Sequence, residues 1–501
     1  MIDQSTKLKL KNIVGEKYIT DDPVELYCYS HDNVSRALSW VEEDYELKAD
    51  LVIKPGNADQ IIQIVDIANE EHLKIIPRGA GTSYGGQFLP IEGGVILDFT
   101  RMNKIKEINT DDSYAIVEPG VLFKNLGKEL MKTGMGYWIP CNPGSAEVCT
   151  IGGMIANDAS GESAIKYGTT KDYVLRLNLI LGTGKFIQIG NLAQKTVSGL
   201  DLISLFVGSE GTLGIVTQAT LKILALPQSF KTIIGFFGSI EAAVLSAKKI
   251  KDILTPMSLE LLDRITIMGM NAFLARLTPR ITIRNTEAAL LIRLDGDKEL
   301  TTMHASKIID LLSSENTSTD TEIFEGIQHQ YIWKARDNAG PSIGRLTTSV
   351  KNVGTFLPAS LDFSVPFSKT TELMNEFAKI VGAYNIGFIR YGHLGDGNVH
   401  LICSTPIVSK EDVKKFSSLQ GDLVKLAVSL GGSVTAEHGC GVWKAPYLPL
   451  EHGEDVIKLM QNIKDVFDPN NVLNPGKLYS FPKKISIFSN QRDQIGGSVN
   501  E

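Results

Sequence analysis

The sequence predicts an α+β protein of more than one domain. Three observations carry this: the length, a repeated exchange of short apolar runs with amphipathic helical runs, and a proline-marked break near the middle. At 501 residues the chain is too long for one ordinary core, because cores stop growing beyond about 250–300 residues. Hydrophobic content of 43% and charged content of 21% are those of a soluble globular chain, not a disordered one.

The elements follow in order. Residues 1 to 45 read as a helical lead-in carrying the acidic run VEEDYE. Next come ADLVIKP as a strand, NADQIIQIVDIANEEH as a helix capped at Asn57 or Asp59, and LKIIPRG as a strand. Apolar strands recur at GVILDFT, YAIVEPG, VLRLNLILGTG, KFIQIG and GIVTQATLKIL, joined by glycine-rich connections, until ALPQ at 225–228 marks a boundary. Beyond it, strand KTIIGFFG, helix SIEAAVLSAKKIKDIL, strand SLELLD, a long helical region and strand AALLIRLDGD suggest a βαβ-type sheet layer under helices. Helix TTELMNEFAKIVGAY, strands GFIRYGH and NVHLICS, and helix VKKFSSLQGDLVKLAVSLGG complete the pattern before a polar tail. The expected segments are a lead-in at 1–45, a first domain at 46–226, a second at 227–480 and a tail at 481–501.

Composition excludes several function classes. The net charge of −7 and the lack of a Lys/Arg stripe interleaved with aromatics argue against nucleic acid as a partner. The first residues lack the apolar core of a signal peptide, and no apolar run reaches membrane-spanning length, so no transmembrane segment is expected. The default compartment is the cytoplasm, with peripheral attachment at the membrane left open. Cys28, Cys141, Cys149, Cys403 and Cys440 are odd in number and scattered, which fits reduced thiols and not a disulfide framework. They form no close ligation run for an iron–sulfur cluster.

Two kinds of motif carry chemistry. RYGHLGDGNVH, residues 390–400, places two of 8 histidines seven positions apart. In an unbroken strand they would face opposite ways, but Gly395 and Gly397 allow a turn that resets the alternation, so both imidazoles can converge on a metal. TAEHGCG, residues 435–441, adds a carboxylate; two histidines and one carboxylate leave positions open for substrate. Histidines satisfied inside a core are the plain alternative. His438 directly follows Glu437, so in an extended segment its side chain points away from the metal and need not be a ligand.

The other kind is glycine-rich. PRGAGTSYGG, residues 77–86, fails the dinucleotide fingerprint because Tyr84 stands at the third glycine's position and the next strand arrives too soon for a crossover helix. Its small residues can turn successive N–H groups onto one anion, a pyrophosphate for example, although an ordinary glycine loop is equally compatible. NPGSAEVCTIGGMIANDASGESAIKYGTTKDYV and VGSEGTLGIVT are further stretches with little core material. Three such stretches suggest one large planar ligand held mostly by main chain.

Together with FDPNNVLNPGKL, these motifs resemble the FAD-linked oxidase family of the vanillyl-alcohol oxidase and p-cresol methylhydroxylase superfamily, over residues 45 to 480. Within it the chain is most similar to the D-2-hydroxyacid dehydrogenase branch: D-lactate dehydrogenases, the flavoprotein subunit of glycolate oxidase, and D-2-hydroxyglutarate dehydrogenase. The resemblance implies a two-subdomain FAD-binding domain of the p-cresol methylhydroxylase type. An α+β substrate domain follows, an antiparallel sheet covered by helices, whose C-terminal segment returns to the flavin. It implies that Arg78, Gly79, Ala80, Gly81, Thr82 and Ser83 wrap the pyrophosphate. Pro143, Gly144, Ser145, Gly152, Gly153, Ala156 and Asn157 would lie along the flavin and ribityl chain. Glu210, Gly214 and Ile215 would contact the adenosine side or ring edge, and Asn474 and Lys477 would close over the isoalloxazine. Relatives with covalent flavin often carry a histidine in the first loop; Ser83 and Tyr84 stand here, so the FAD is expected to be non-covalent.

The same resemblance implies His393, His400 and Glu437 as ligands of a divalent metal, with Zn²⁺ favoured by the donor set over Mn²⁺ or Fe²⁺. It makes His438 the base and Arg336, in YIWKARDNAG, the partner of the substrate carboxylate. Lys351 would be a second substrate contact, in a stretch (344–366) longer than the family pattern. The implied reaction is oxidation of D-lactate, or glycolate or D-2-hydroxyglutarate, to the 2-oxo acid with hydride transfer to flavin N5. A quinone, cytochrome, electron-transfer flavoprotein or iron–sulfur subunit would take the electrons. The alternatives are group exchange of the alkylglycerone-phosphate synthase type, for which a run of consecutive histidines, absent from this sequence, would be expected, and a non-catalytic flavin-binding subunit. Oligomeric state, a homodimer included, is left open.

Overall fold

The structure, a computed structural model, describes residues 2–32, 47–314, 318–339, 342, 355–356, 359–384, 386–404, 406–407 and 409–479. The acidic run VEEDYE, Lys351 and the polar tail lie outside these residues. The described chain forms two compact units, one from residues 2–160, 169–226 and 437–479, the other from 161–168 and 227–436.

The first unit holds two main sheets. The smaller orders Ile19–Thr20, Leu51–Ile53, Val95–Asp98 and Ile75–Arg78, with the last three strands parallel. Leu51, Val52 and Ile53 are all buried, as expected of a parallel strand covered on both faces. Helix Ala58–Glu70 packs here because Ile61, Ile64, Val65 and Ala68 recur at helical spacing. Its first turn is closed by Asn57, whose side chain accepts the Gln60 N–H at 2.9 Å. The larger sheet is antiparallel, ordered Ile105–Asn109, Tyr114–Val117, Ile215–Lys222, Val174–Ile180 and Phe186–Gly190.

The second unit is organised by one antiparallel sheet of seven strands: Ser318–Phe324, Ser229–Phe237, Ala288–Gly296, Ser258–Asp263, Gly387–Gly392, Asn398–Ser404 and Ala359–Ser364. Ser229–Phe237 and Ser258–Asp263, joined by helix Ile240–Ile253, both pair antiparallel with Ala288–Gly296 between them. The βαβ pattern of the sequence is therefore a split one. On one sheet face Ile234, Phe236, Leu262, Ala289 and Leu291 form a core with helices Arg264–Leu274 and Gly326–Asp337. Residues 161–168 of the second glycine-rich stretch also belong to this unit: Glu162 meets Arg293 at 2.9 Å and Lys166 meets Asp295 at 2.6 Å.

Candidate active site

Within the first unit, strand Ile75–Arg78, helix Ile151–Asn157 and the turn entering strand Ile215–Lys222 converge. They line a groove of about 550 Å³. Of the expected flavin residues, Arg78, Gly79, Gly152, Gly153, Ala156, Glu210, Gly214 and Ile215 line it. So do Phe99, Pro119, Thr150, Leu179, Phe206 and Ser209, which sequence reasoning did not name. Thr150 had a readable signal: it stands just before the helix and caps it, accepting the Gly153 N–H at 3.2 Å.

The groove's polar atoms fit an anionic ligand. The Arg78 guanidinium stacks between the rings of Tyr29 and Phe88, at 4.8 and 4.9 Å. Its Nε is buried with no hydrogen-bond partner among the described residues, and so is the Ser83 hydroxyl. Leaving such a group unpaired costs about 1–3 kcal/mol, and a pyrophosphate supplies the acceptors both lack. Ala80, Gly81 and Thr82 are the residues between them. Pro143, Gly144 and Ser145 begin a tight turn in which the Ala146 N–H donates to the Pro143 carbonyl at 2.8 Å; they do not line the groove.

Asn474 and Lys477 are buried and bind main chain. Asn474 Nδ2 donates to the carbonyls of Gln87 and Glu210 at 2.8 and 2.7 Å. Lys477 Nζ donates to Leu89 and Pro475 carbonyls at 2.9 and 3.1 Å. Burial lowers the Lys477 ammonium to about 7, against the pull of Glu210.

Within the second unit, RYGHLGDGNVH folds as strand, turn, strand. A 3₁₀ turn at Leu394–Asp396 and Gly397 at φ +83° reverse the chain. The extra residues reset the alternation, and the rings of His393 and His400 meet edge to face with centroids 5.0 Å apart. Each ring has a buried carboxylate beside it. His393 Nδ1 donates to Glu260 Oε1 at 2.6 Å, and His400 Nδ1 lies 3.7 Å from Asp362 Oδ1. Strand register explains both: Leu261 faces Gly392, which brings Glu260 opposite His393, and Asp362 faces His400 directly.

Glu260 divides its oxygens, because Oε2 accepts from Arg336 Nε at 2.8 Å. Burial pushes the Glu260 carboxyl up, but Arg336 and His393 outweigh it and hold the group at about 2. Glu260 is thus an anion at neutral pH. It fixes the His393 tautomer with Nδ1 protonated and the lone pair on Nε2, the arrangement metal-binding histidines adopt. Imidazoles preorganised in this way fit a divalent metal. Neither Glu260 nor Asp362 was named from sequence; a carboxylate between leucines inside the apolar run SLELLD was the available signal for Glu260. Asp362 also receives the Ala436 N–H at 3.0 Å, and Glu437 is the next residue.

Glu437 and His438 lie in the first unit. Residues 436–438 bend, so the extended geometry expected there does not hold, and His438 Nε2 lies 3.5 Å from Glu437 Oε1. The Tyr84 ring is 5.2 Å from that of His438. Asn157 and Glu210, expected along the flavin, direct their side chains to this segment: Asn157 Nδ2 donates to the Glu437 carbonyl at 2.9 Å, and Glu210 accepts the Cys440 N–H at 2.7 Å.

Comparison with known proteins agrees with this architecture. Residues 49–190 match the FAD binding domain, and residues 226–478 match the C-terminal domain of FAD linked oxidases. The chain is 34% identical over 490 residues to glycolate oxidase subunit GlcD of Bacillus subtilis, covering 96% of this chain and 98% of that one. It is 33% identical over 429 residues to a D-lactate dehydrogenase of Archaeoglobus fulgidus, covering 85% and 91%. Among solved structures, p-cresol methylhydroxylase with substrate bound superposes with a TM-score of 0.78 at 16% identity, covering 96% and 98%. The chain belongs to the FAD-linked oxidase family. It is an FAD-dependent oxidoreductase with the p-cresol methylhydroxylase-type fold. No described helix is long and apolar enough to cross a membrane.

Proposed function

We propose that this protein is a metal-assisted D-2-hydroxyacid dehydrogenase that oxidises D-lactate, or in its place glycolate or D-2-hydroxyglutarate, to the 2-oxo acid. The observation that carries the reading is the pair of converging imidazoles backed by buried carboxylates, within a flavoprotein similar to D-lactate dehydrogenases and glycolate oxidase subunits. His393, His400 and Glu437 would hold the divalent metal, with Zn²⁺ favoured by two nitrogens and one oxygen. When bound, the metal supplies Lewis acidity toward the substrate hydroxyl, and the FAD, held non-covalently, accepts a hydride.

The chain's own residues do the rest. His438 takes the hydroxyl proton on its imidazole. Arg336, whose Nε and Nη2 are held by Glu260, presents a fixed cation to the substrate carboxylate. Lys351 is assigned a second contact there. The Arg78–Ser83 loop holds the pyrophosphate and so fixes the flavin's reach. Electrons leave to an external acceptor: a quinone, a cytochrome, an electron-transfer flavoprotein or an iron–sulfur subunit.

The test is an anaerobic visible spectrum of the purified protein mixed in turn with D-lactate, L-lactate, glycolate and D-2-hydroxyglutarate. Bleaching of the flavin band by a D-acid or glycolate, and not by L-lactate, is expected and names the substrate. A flavin that stays oxidised with every acid, with FAD and metal verified as bound, contradicts the reading.

A further inference from the structure

The segment that carries Glu437 and His438 is held by three side chains of the flavin-binding unit. Asn157 Nδ2 donates to the Glu437 carbonyl at 2.9 Å, and Gln87 Nε2 donates to the His438 carbonyl at 2.8 Å. Glu210 receives the Cys440 N–H at 2.7 Å and the Gly441 N–H at 3.0 Å on Oε1. Between these supports the chain passes through Gly439 at φ +75°. A Cβ there would fall 2.3 Å from Asn157 Oδ1, 2.5 Å from Gln87 Nε2 and 2.9 Å from Glu210 Oε1. Glycine suits the position, because the backbone angle strains any other residue and a Cβ would displace all three supporting side-chain ends.

The supports are tied to one another and to the groove. Asn474 Nδ2 bridges the carbonyls of Gln87 and Glu210 at 2.8 and 2.7 Å. Glu210 is itself in the left-handed region at φ +54°, a conformation that costs a non-glycine residue energy and persists only where the surroundings impose it. Glu210 and Ala156, the residue before Asn157, also line the flavin groove. One helix end and one strained turn therefore build both the groove wall and the support of the catalytic segment.

We propose that Glu210, with Gln87 and Asn157, is a positioning clamp that sets Glu437 and His438 against the flavin, so that the cofactor groove and the substrate-side segment order together. This rests on the metal and base roles proposed above. Glu210 is a positioning residue: its carboxylate acts on main-chain N–H groups of the segment, and because Glu210 also lines the groove, Gln87→Ala, at a residue outside that lining, separates release of the segment from any change in FAD.

The test compares holoenzyme with Glu210→Ala, Glu210→Gln and Gln87→Ala by hydrogen exchange, FAD content and anaerobic flavin reduction. In FAD-saturated enzyme, Glu210→Ala is expected to lose protection of the Cys440 and Gly441 amides by at least ~10-fold and to slow reduction at saturating acid by ~10–100-fold. KM should move less than kcat. Glu210→Gln, which retains one acceptor oxygen, should recover most of both losses, and Gln87→Ala should loosen the same segment at the His438 carbonyl without the burden of a buried charge. Unchanged protection in Glu210→Ala overturns the clamp, as does equal loss of FAD and thermal stability in all three variants. If the wild type is reduced by no hydroxy acid while Glu210→Ala still loses protection, the clamp stands and the proposed reaction falls.

Discussion

The groove of the first unit and the imidazole pair of the second are prepared for their ligands in opposite ways. The groove is lined by glycines together with apolar side chains such as Phe99, Leu179 and Phe206, and its Arg78 Nε, like Ser83 Oγ farther along the same loop, has no hydrogen-bond partner among the described residues. Of the imidazoles, His393 comes with a partner in place, Glu260 at 2.6 Å, so that ring's orientation is set before any ligand arrives, while the Asp362 carboxylate stands 3.7 Å from His400 Nδ1. A large ligand that brings many acceptors can be met by unpaired donors. A metal ion needs lone pairs aimed in advance, and buried carboxylates aim them.

Removing the metal-facing side of this contrast has the largest expected effect. His400→Ala deletes a proposed ligand outright and should abolish flavin reduction by the acid substrate, by ~10²-fold or more, while the visible spectrum still reports bound FAD. Retained reduction would show that the pair is a structural cluster.

Next in size is Glu260. Glu260→Gln keeps the shape but weakens the orientation of His393, and metal affinity measured by chelator competition should fall by ~10–100-fold. Glu260→Ala also leaves Arg336 buried without its anion and should cost ~3–5 kcal/mol of stability in a denaturant titration. If Glu260→Gln binds metal as the wild type does, preorganisation is not what separates the two sites.

On the groove side, Arg78→Leu should weaken FAD by ~10–100-fold, the worth of one or two charge-assisted hydrogen bonds. Equilibrium dialysis followed by flavin absorbance measures it. An unchanged affinity would mean that the orphaned guanidinium faces no phosphate.

The smallest effect is a pH dependence. Lys477 titrates at about 7 in the fold against 10.5 ordinarily. Between those values the unfolded chain binds the proton that the native one lacks, so stability rises with pH, by at most ~1.4 kcal/mol per unit. Lys477→Met should flatten that rise in urea titrations from pH 7 to 10.

What the sequence made legible follows the same contrast. Glycine-rich loops advertise backbone-built sites, so Arg78, Gly79, Gly152 and Gly153 were readable as groove residues from composition and resemblance. The turn in RYGHLGDGNVH was readable too, because only a reset of strand alternation brings His393 and His400 together. Glu260 and Asp362 were not: Glu260 stands 133 residues before His393, Asp362 lies on a different strand from His400, and only pairing register joins each to its histidine. Glu210 and Asn157 are expected flavin contacts by motif, and Glu210 lines the groove; that their side chains also hold the segment at 437–441 is what sequence spacing cannot reveal. The bend at 436–438 was likewise hidden, since strand alternation predicts directions only where a strand exists.

The measurement that bears most directly on the metal claim is rapid mixing of the anaerobic holoenzyme with the hydroxy acid that bleaches it. It is run as purified, after chelation, and after return of Zn²⁺ or Mn²⁺. Loss of the fast flavin reduction on chelation, with FAD retained and the rate restored by metal, is the predicted result. Reduction at an unaltered rate in metal-free protein would contradict it and leave the carboxylate-backed imidazoles a purely structural pair.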